Sequence, residues 1–204
     1  MANGIVSTTG YSPAPVFDLD IYALGREQSN VIGKTDVLVV HGSTDAPTVD
    51  VEAGAATIVN NLAYGMFDTY LELTTADYTL NVTDQSGATI VASYKAPLQT
   101  LGLVNKAIVV VASGFLNPTN NSNGAAFGLW VALPTGGALV QLPTSKARVQ
   151  VIHNSADAAA AQVDVYLGTA LLIDNFAFRT ASAFIDAPAE TAQVIGIAPS
   201  TSTN

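Results

Sequence analysis

The sequence predicts an all-β chain made of tandem immunoglobulin-like antiparallel β-sandwich modules, one complete and two partial. Three observations carry this. Short runs rich in Val, Ile, Leu and aromatic residues alternate with Gly, Pro, Asn, Asp and Ser at intervals of about ten residues. No segment sustains a helical period. One stretch of the chain also recurs after about 110 residues, the size of a sandwich domain.

In chain order, "ANGI" at Ala2–Ile5 and "FDLDIYAL" at Phe17–Leu24 flank a polar loop. The strand runs then follow: "DVLVVHG", "YTLNVT", "TIVASYKA", "KAIVVVASG", "FGLWVAL", "ALVQL", "ARVQVIHN" and "QVDVYLG". Gly136-Gly137 reads as a hairpin turn and lacks any phosphate-loop pattern. "ADAAAAQ" at Ala156–Gln162 has helix-forming alanines, but a piece this short between two strands reads as a loop or single turn.

The repeat sets the domain organisation. His41-Gly-Ser-Thr-Asp45, followed by Val49-Asp50-Val51, aligns with His153-Asn-Ser-Ala-Asp157, followed by Val163-Asp164-Val165. "TIVNNLAYG" at Thr57–Gly65 aligns with "LLIDNFAFR" at Leu171–Arg179, and "YLELTTADYTLNVT" from Tyr70 with "FIDAPAETAQVIGIA" from Phe184. Near the N-terminus "ANGI" resembles "ASGF" at Ala112–Phe115, and "FDLDIYAL" resembles "FGLWVALP" at Phe127–Pro134. Residues 1–34 therefore read as the last strands of a module plus a linker, 35–144 as a complete module, and 145–204 as the first part of another. A sandwich lacking strands leaves edges unpaired and its core open. Residues 1–24 of a neighbouring copy are the expected donor, by β-strand addition, and a head-to-tail contact that does not close builds a filament. About twenty residues of the module lie between the two partial pieces by alignment, so a covalent tandem array remains the other form of the same string.

Composition excludes several function classes. Hydrophobic residues make up 49% and charged residues 11%, which supplies a core and argues against disorder. Net charge is −9, with 7 basic residues scattered among 16 acidic ones, so no nucleic-acid partner is expected. Cysteine is absent, which removes disulfides, thiolate chemistry and Cys-ligated metal sites. No apolar run approaches the roughly 18–20 residues that span a bilayer, so no membrane insertion is expected. "MANGIVSTTG" lacks a basic stretch followed by an apolar one. A surface protein would then have to be a processed or excised piece of something longer; the other reading is a protein that is not secreted.

No residue argues for a catalytic reaction, and no cofactor is expected. His41 and His153, with Asp45 and Asp157, are too few for a metal site and read as structural, each His capping a strand end and bonding the next loop. Asp45, Asp50, Asp157 and Asp164 lack a calcium-loop pattern, and Asp45-Ala-Pro reads as a turn in which the carboxylate bonds the backbone. Ser43 and Ser155 follow the histidines without a nucleophile elbow. Asp18 and Asp20 are expected to face solvent, and Trp130 to belong to the core. Tyr64, Phe67 and Tyr70 are also assigned mostly to the core, a sugar-binding face being the alternative. Asn81 and Asn120 open N-x-[ST] sequons and are candidate glycosylation sites. The assembly residues are expected to be Ile5, Phe17, Leu19 and Ile21 on the donor side and Val149, Val151, Val163 and Val165 on the acceptor side.

The H-x-S-x-D-A-P-x-V-D-V opening, the V-N-N-x-x-Y-G middle, the Y-T-L-x-V strand and the V-V-x-A-S-G-F-L strand resemble the domain-of-unknown-function family 4397. The resemblance extends over the whole chain. Its last module departs from the pattern, with Ala158–Ala161 and Gln162 in place of Ala46-Pro47-Thr48. The family occurs in tandem in bacterial secreted and cell-surface proteins. It implies an extracellular β-sandwich, no established reaction and no catalytic residues to carry over. The expected function is a structural subunit of an extracellular filament, partnered by copies of itself and by glycans. The alternative is a stalk or carbohydrate-binding module of a tandem-repeat adhesin.

Overall fold

The strand-forming runs become strands along the whole chain, and the fold is all-β. Among the residues described in this computed structural model, 1–190 and 192–202, there is no α-helix. Two single 3-10 turns occur, at Pro118–Asn120 and Ala158–Ala160. The chain divides into two compact units, Met1–Thr144 and Ser145–Asn204.

In the first unit the strands are β1 (Ala2–Asn3), β2 (Asp18–Leu19), β3 (Lys34–His41), β4 (Val49–Ala53), β5 (Ala56–Leu62), β6 (Leu71–Thr74), β7 (Asp77–Asp84), β8 (Ile90–Pro97), β9 (Ala107–Ser113), β10 (Gly128–Ala132) and β11 (Val140–Gln141). A five-stranded sheet, ordered β11-β10-β9-β3-β6, faces a four-stranded sheet, β5-β4-β7-β8. Alternate residues of both sheets meet in one core, including Val37 and Val39 of β3, Val51 of β4, Val82 of β7, Ile108 of β9 and Val131 of β10. Burying one such aliphatic side chain contributes about 1.5–3 kcal/mol.

Two sequence expectations need correction. The sandwich is not purely antiparallel, because β3 and β9 pair in parallel from Asp36↔Ala107 to His41↔Ala112. Parallel neighbours need a long crossover, and here the intervening chain builds the whole opposite sheet and the edge strand β6. Trp130 is not a core residue. Leu129 and Val131 point into the core, so the pleat turns Trp130 to the outer face, where it is half-buried. The continuous apolar run of β3 has the same cause in reverse. Leu38 and Val40 point away from the core but stay buried, because residues 1–27 lie over that face. Tyr22 packs on Phe67 at 5.4 Å, and the Arg26 guanidinium lies 4.5 Å from the Tyr70 ring centre. Arg26 also pairs with the buried Asp36 at 2.7 Å, and Ser29 donates to the same carboxylate at 2.6 Å.

The second unit holds β12 (Lys146–Val149), β13 (Ile152–His153), β14 (Gln162–Leu167), β15 (Ala170–Ala177), β16 (Thr180–Ala181), β17 (Ile185–Pro188) and β18 (Ile195–Pro199). Its pairings repeat those of β3–β7. Val37↔Leu71 recurs as Val149↔Ile185, and Val49↔Asp84 as Val163↔Pro199. The bulge between β4 and β5 recurs between β14 and β15. Asn61 (φ 54°) sits at that bulge with its N–H donating to the Asp50 carboxylate at 2.6 Å. Asn175 (φ 50°) donates to Asp164 at 2.9 Å in the same way. Among the described residues the second unit has no strand in the place of β8, β9, β10 or β11.

Residues 1–24 repeat a different part of the sandwich. The pair Ala2↔Leu19 has the register of Ala112↔Leu129, and the parallel bridge Ile5↔Val16 that of Phe115↔Ala126. This piece reproduces the corner that joins β9 to β10.

Candidate assembly surfaces

The repeated His-x-Ser-x-Asp segment sits where β3 ends, and its polar groups organise the adjoining corner. His41 is fully buried, and its Nε2–H donates to the Pro47 carbonyl at 2.9 Å. A carbonyl only accepts, so this bond fixes the neutral Nε2–H tautomer. Burial pushes the His41 pKa below its ordinary value, outweighing the bond to Pro47. Ser43 donates to the Gly114 carbonyl at 2.6 Å rather than to the histidine. The Asp45 carboxylate accepts from the Leu116 N–H at 2.9 Å, the Asn117 N–H at 2.8 Å and the Asn121 amide at 3.1 Å. The sequence reading placed these bonds inside the Asp45 turn itself. The partners are instead a corner about seventy residues away, which local turn chemistry does not reveal.

That corner depends on Gly114. Its φ is +89°, and a Cβ there would lie 2.2 Å from the Ala126 carbonyl oxygen, so only glycine fits. Gly4 occupies the same place in residues 1–24, with φ +98° and a Cβ position 2.4 Å from the Val16 carbonyl oxygen.

Among the described residues the second unit has no corner for the same motif to hold. His153 is buried and its Nε2 bonds the Ala160 carbonyl at 2.8 Å, as His41 bonds Pro47. Ser155 and Asp157 are exposed, whereas Ser43 is buried. One Asp157 oxygen accepts from the Ala159 N–H at 2.9 Å, capping the short 3-10 turn. Asp164 stays below the usual carboxylate range because the Asn175 N–H and the Ser202 hydroxyl donate to it.

The apolar faces differ more sharply. In the β3–β11 sandwich the space between the sheets shrinks to about 40 Å³, closed by Leu98, Val110, Ala112 and Leu129 among others. The second unit has two open apolar hollows on the equivalent face. One, of about 380 Å³, is lined by Val151, Val163, Val165, Phe176 and Ile197. The other, of about 540 Å³, is lined by Val149, Leu167, Leu172, Ile185 and Ile195. Ile195 and Ile197 are 57% and 71% exposed, while Leu80 and Val82 in the same register are 8% and 1% exposed. Residues 1–24 show the converse. Leu19 and Ile21 are 62% and 78% exposed, against 3% and 0% for Leu129 and Val131. Phe17, Val149 and Ile152 are also exposed, Ile5, Val151 and Val163 are half-buried, and Val165 is buried under its own sheet neighbours.

The remaining sequence candidates lie apart from these faces. Asn81 is half-buried in β7 and accepts from the Ser93 hydroxyl at 2.7 Å, whereas Asn120 is exposed in the 3-10 turn. Asp18 is exposed and Asp20 half-buried. Tyr64, Phe67 and Tyr70 are half-buried outside the core. Phe67, Tyr70 and Tyr22 line a hollow of about 710 Å³ on the outer face of the five-stranded sheet. Among the described residues no three His, Asp or Glu side chains gather as metal ligands, and no helix is long and apolar enough to cross a membrane.

Residues 35–120, from β3 to the 3-10 turn of the corner, match the family model described as a domain of unknown function (DUF4397). The match covers the middle of the chain, less than the resemblance read from the sequence. Comparison with curated proteins and with solved structures gave no match.

Proposed function

We propose that this chain, whose residues 35–120 belong to the DUF4397 family, is a structural subunit of an extracellular bacterial filament. In this reading its sandwiches are tandem immunoglobulin-like modules, one complete and two partial. Residues 1–24 of one copy complete the 145–204 module of the next, and the contact repeats head to tail. The observation that carries the reading is complementary exposure. Leu19 and Ile21 in one partial piece and Ile195 and Ile197 in the other are bare where their counterparts in the complete sandwich are buried, and each partial piece has strands that the other lacks. Exposed apolar patches of this kind mark association surfaces. No catalytic step enters the reading.

Electron microscopy, with intact mass of the denatured subunits, tests it. Filaments whose denatured subunits run close to the 21.0 kDa of this chain mean strand exchange between separate copies. Filaments that yield only much larger polypeptides mean a covalent tandem array, and dispersed particles remove the filament reading.

The aromatic hollow over the five-stranded sheet favours a second reading, a carbohydrate-binding or stalk module of an adhesin. In that case Phe67→Ala abolishes retention on a glycan array while self-association is unchanged.

A further inference from the structure

Within the chain, the β9–β10 corner is held by two side chains from the end of β3. Ser43 grips the Gly114 carbonyl, and Asp45 receives the next free N–H groups, those of Leu116 and Asn117. The second unit has the same two side chains, Ser155 and Asp157, after its own buried histidine, and both are exposed. Residues 1–24 have the same corner, with Gly4 in the conformation of Gly114 and the Ile5↔Val16 bridge in the register of Phe115↔Ala126. By that register Gly4 stands for Gly114, Val6 for Leu116 and Ser7 for Asn117. Val6 is 79% exposed and Ser7 is exposed.

We propose that Ser155 and Asp157 of one copy latch the Gly4–Ser7 corner of another. The Ser155 hydroxyl donates to the Gly4 carbonyl, and the Asp157 carboxylate accepts from the Val6 and Ser7 N–H groups. The proposal rests on the filament reading and gives it a polar lock beside the apolar contact. The lock also sets register, because its atoms align only when the neighbour's Ala2 lies beside His153, as Ala112 lies beside His41. Asp157 remains poised for it. Its contact with Ala159 uses one carboxylate oxygen and leaves the other for the neighbour.

The test uses the full chain and two single variants. Asp157→Asn keeps a good cap for the 3-10 turn but loses the charge and one acceptor oxygen. Gly4→Ala drives a Cβ into the Val16 carbonyl and distorts only the donor corner. The concentration at which half the protein sediments as polymer is expected to rise about tenfold for each variant, a change of about 1.4 kcal/mol per contact. Circular dichroism of the dispersed chains should match wild type in both cases. At concentrations between the wild-type and the raised midpoints, a mixture of the two variants keeps one intact donor and one intact acceptor, and so should give one-to-one dimers that grow no further. Wild-type polymer together with unchanged assembly of both variants, or no dimer in the mixture, overturns the latch and leaves the filament reading standing. Absence of wild-type polymer overturns both.

Discussion

A histidine whose pKa is lowered by burial makes stability depend on pH, and His41 is one. Its ring is fully buried against Tyr64, 6.3 Å between ring centres, and its Nδ1 has no hydrogen-bond partner. Burial lowers its pKa in the folded chain, whereas in the unfolded chain it titrates near 6.5. Below pH 6.5 the unfolded state therefore binds a proton that the folded state refuses, and acidification favours unfolding. This contribution to stability is complete above pH 6.5, falls as pH drops from there to the folded pKa, and changes no further below it. Thermal melts between about pH 7 and pH 5 should show a falling Tm, and His41→Gln should flatten that slope. An unchanged slope in the variant would assign the effect to other groups.

At the scale of elements, β2 and the residues just after it present exposed apolar side chains. Leu19 and Ile21 align with two core residues of β10 and remain at the surface. Replacing both with Asp should leave the melting of the separate chain within about 4 °C of wild type, since surface changes shift stability little. In the proposed filament each buried aliphatic side chain would contribute about 1.5–3 kcal/mol, so the double variant should fail to sediment as polymer at any practical concentration. A large fall in Tm would mean that the segment is already buried within its own chain. Much of this was legible in the sequence. The all-β character and the repeated pairings of the His-x-Ser-x-Asp segment could be read from strand runs and turn residues, because these are local signals. The parallel β3–β9 pairing, the Asp45 contact with the corner and the outward turn of Trp130 were not legible. Each depends on which distant strand lies alongside, and local pattern does not specify that.

For the whole molecule the deciding quantity is charge. The chain carries −9, and both proposed joint partners share the sign. Residues 1–24 contain Asp18 and Asp20 and no Lys or Arg, and residues 145–204 contain five acidic side chains against three basic ones. Within the second unit Lys146 and Arg148 both face Asp186 at 3.8 Å across an exposed strand pair, which leaves little positive charge for a neighbour. In the proposed filament, subunits approaching head to tail would therefore repel one another until the apolar faces meet. Raising the salt from about 0.01 M to about 0.1 M shortens the screening length from about 30 Å to about 10 Å and weakens that repulsion. Burial of Leu19, Ile21, Ile195 and Ile197 is not weakened by the same change. Polymer formation followed by light scattering should thus become faster and more complete with added salt. A joint held chiefly by charge pairs would do the reverse, because salt screens attraction as well as repulsion, and slower assembly in salt would move the contact away from these apolar faces.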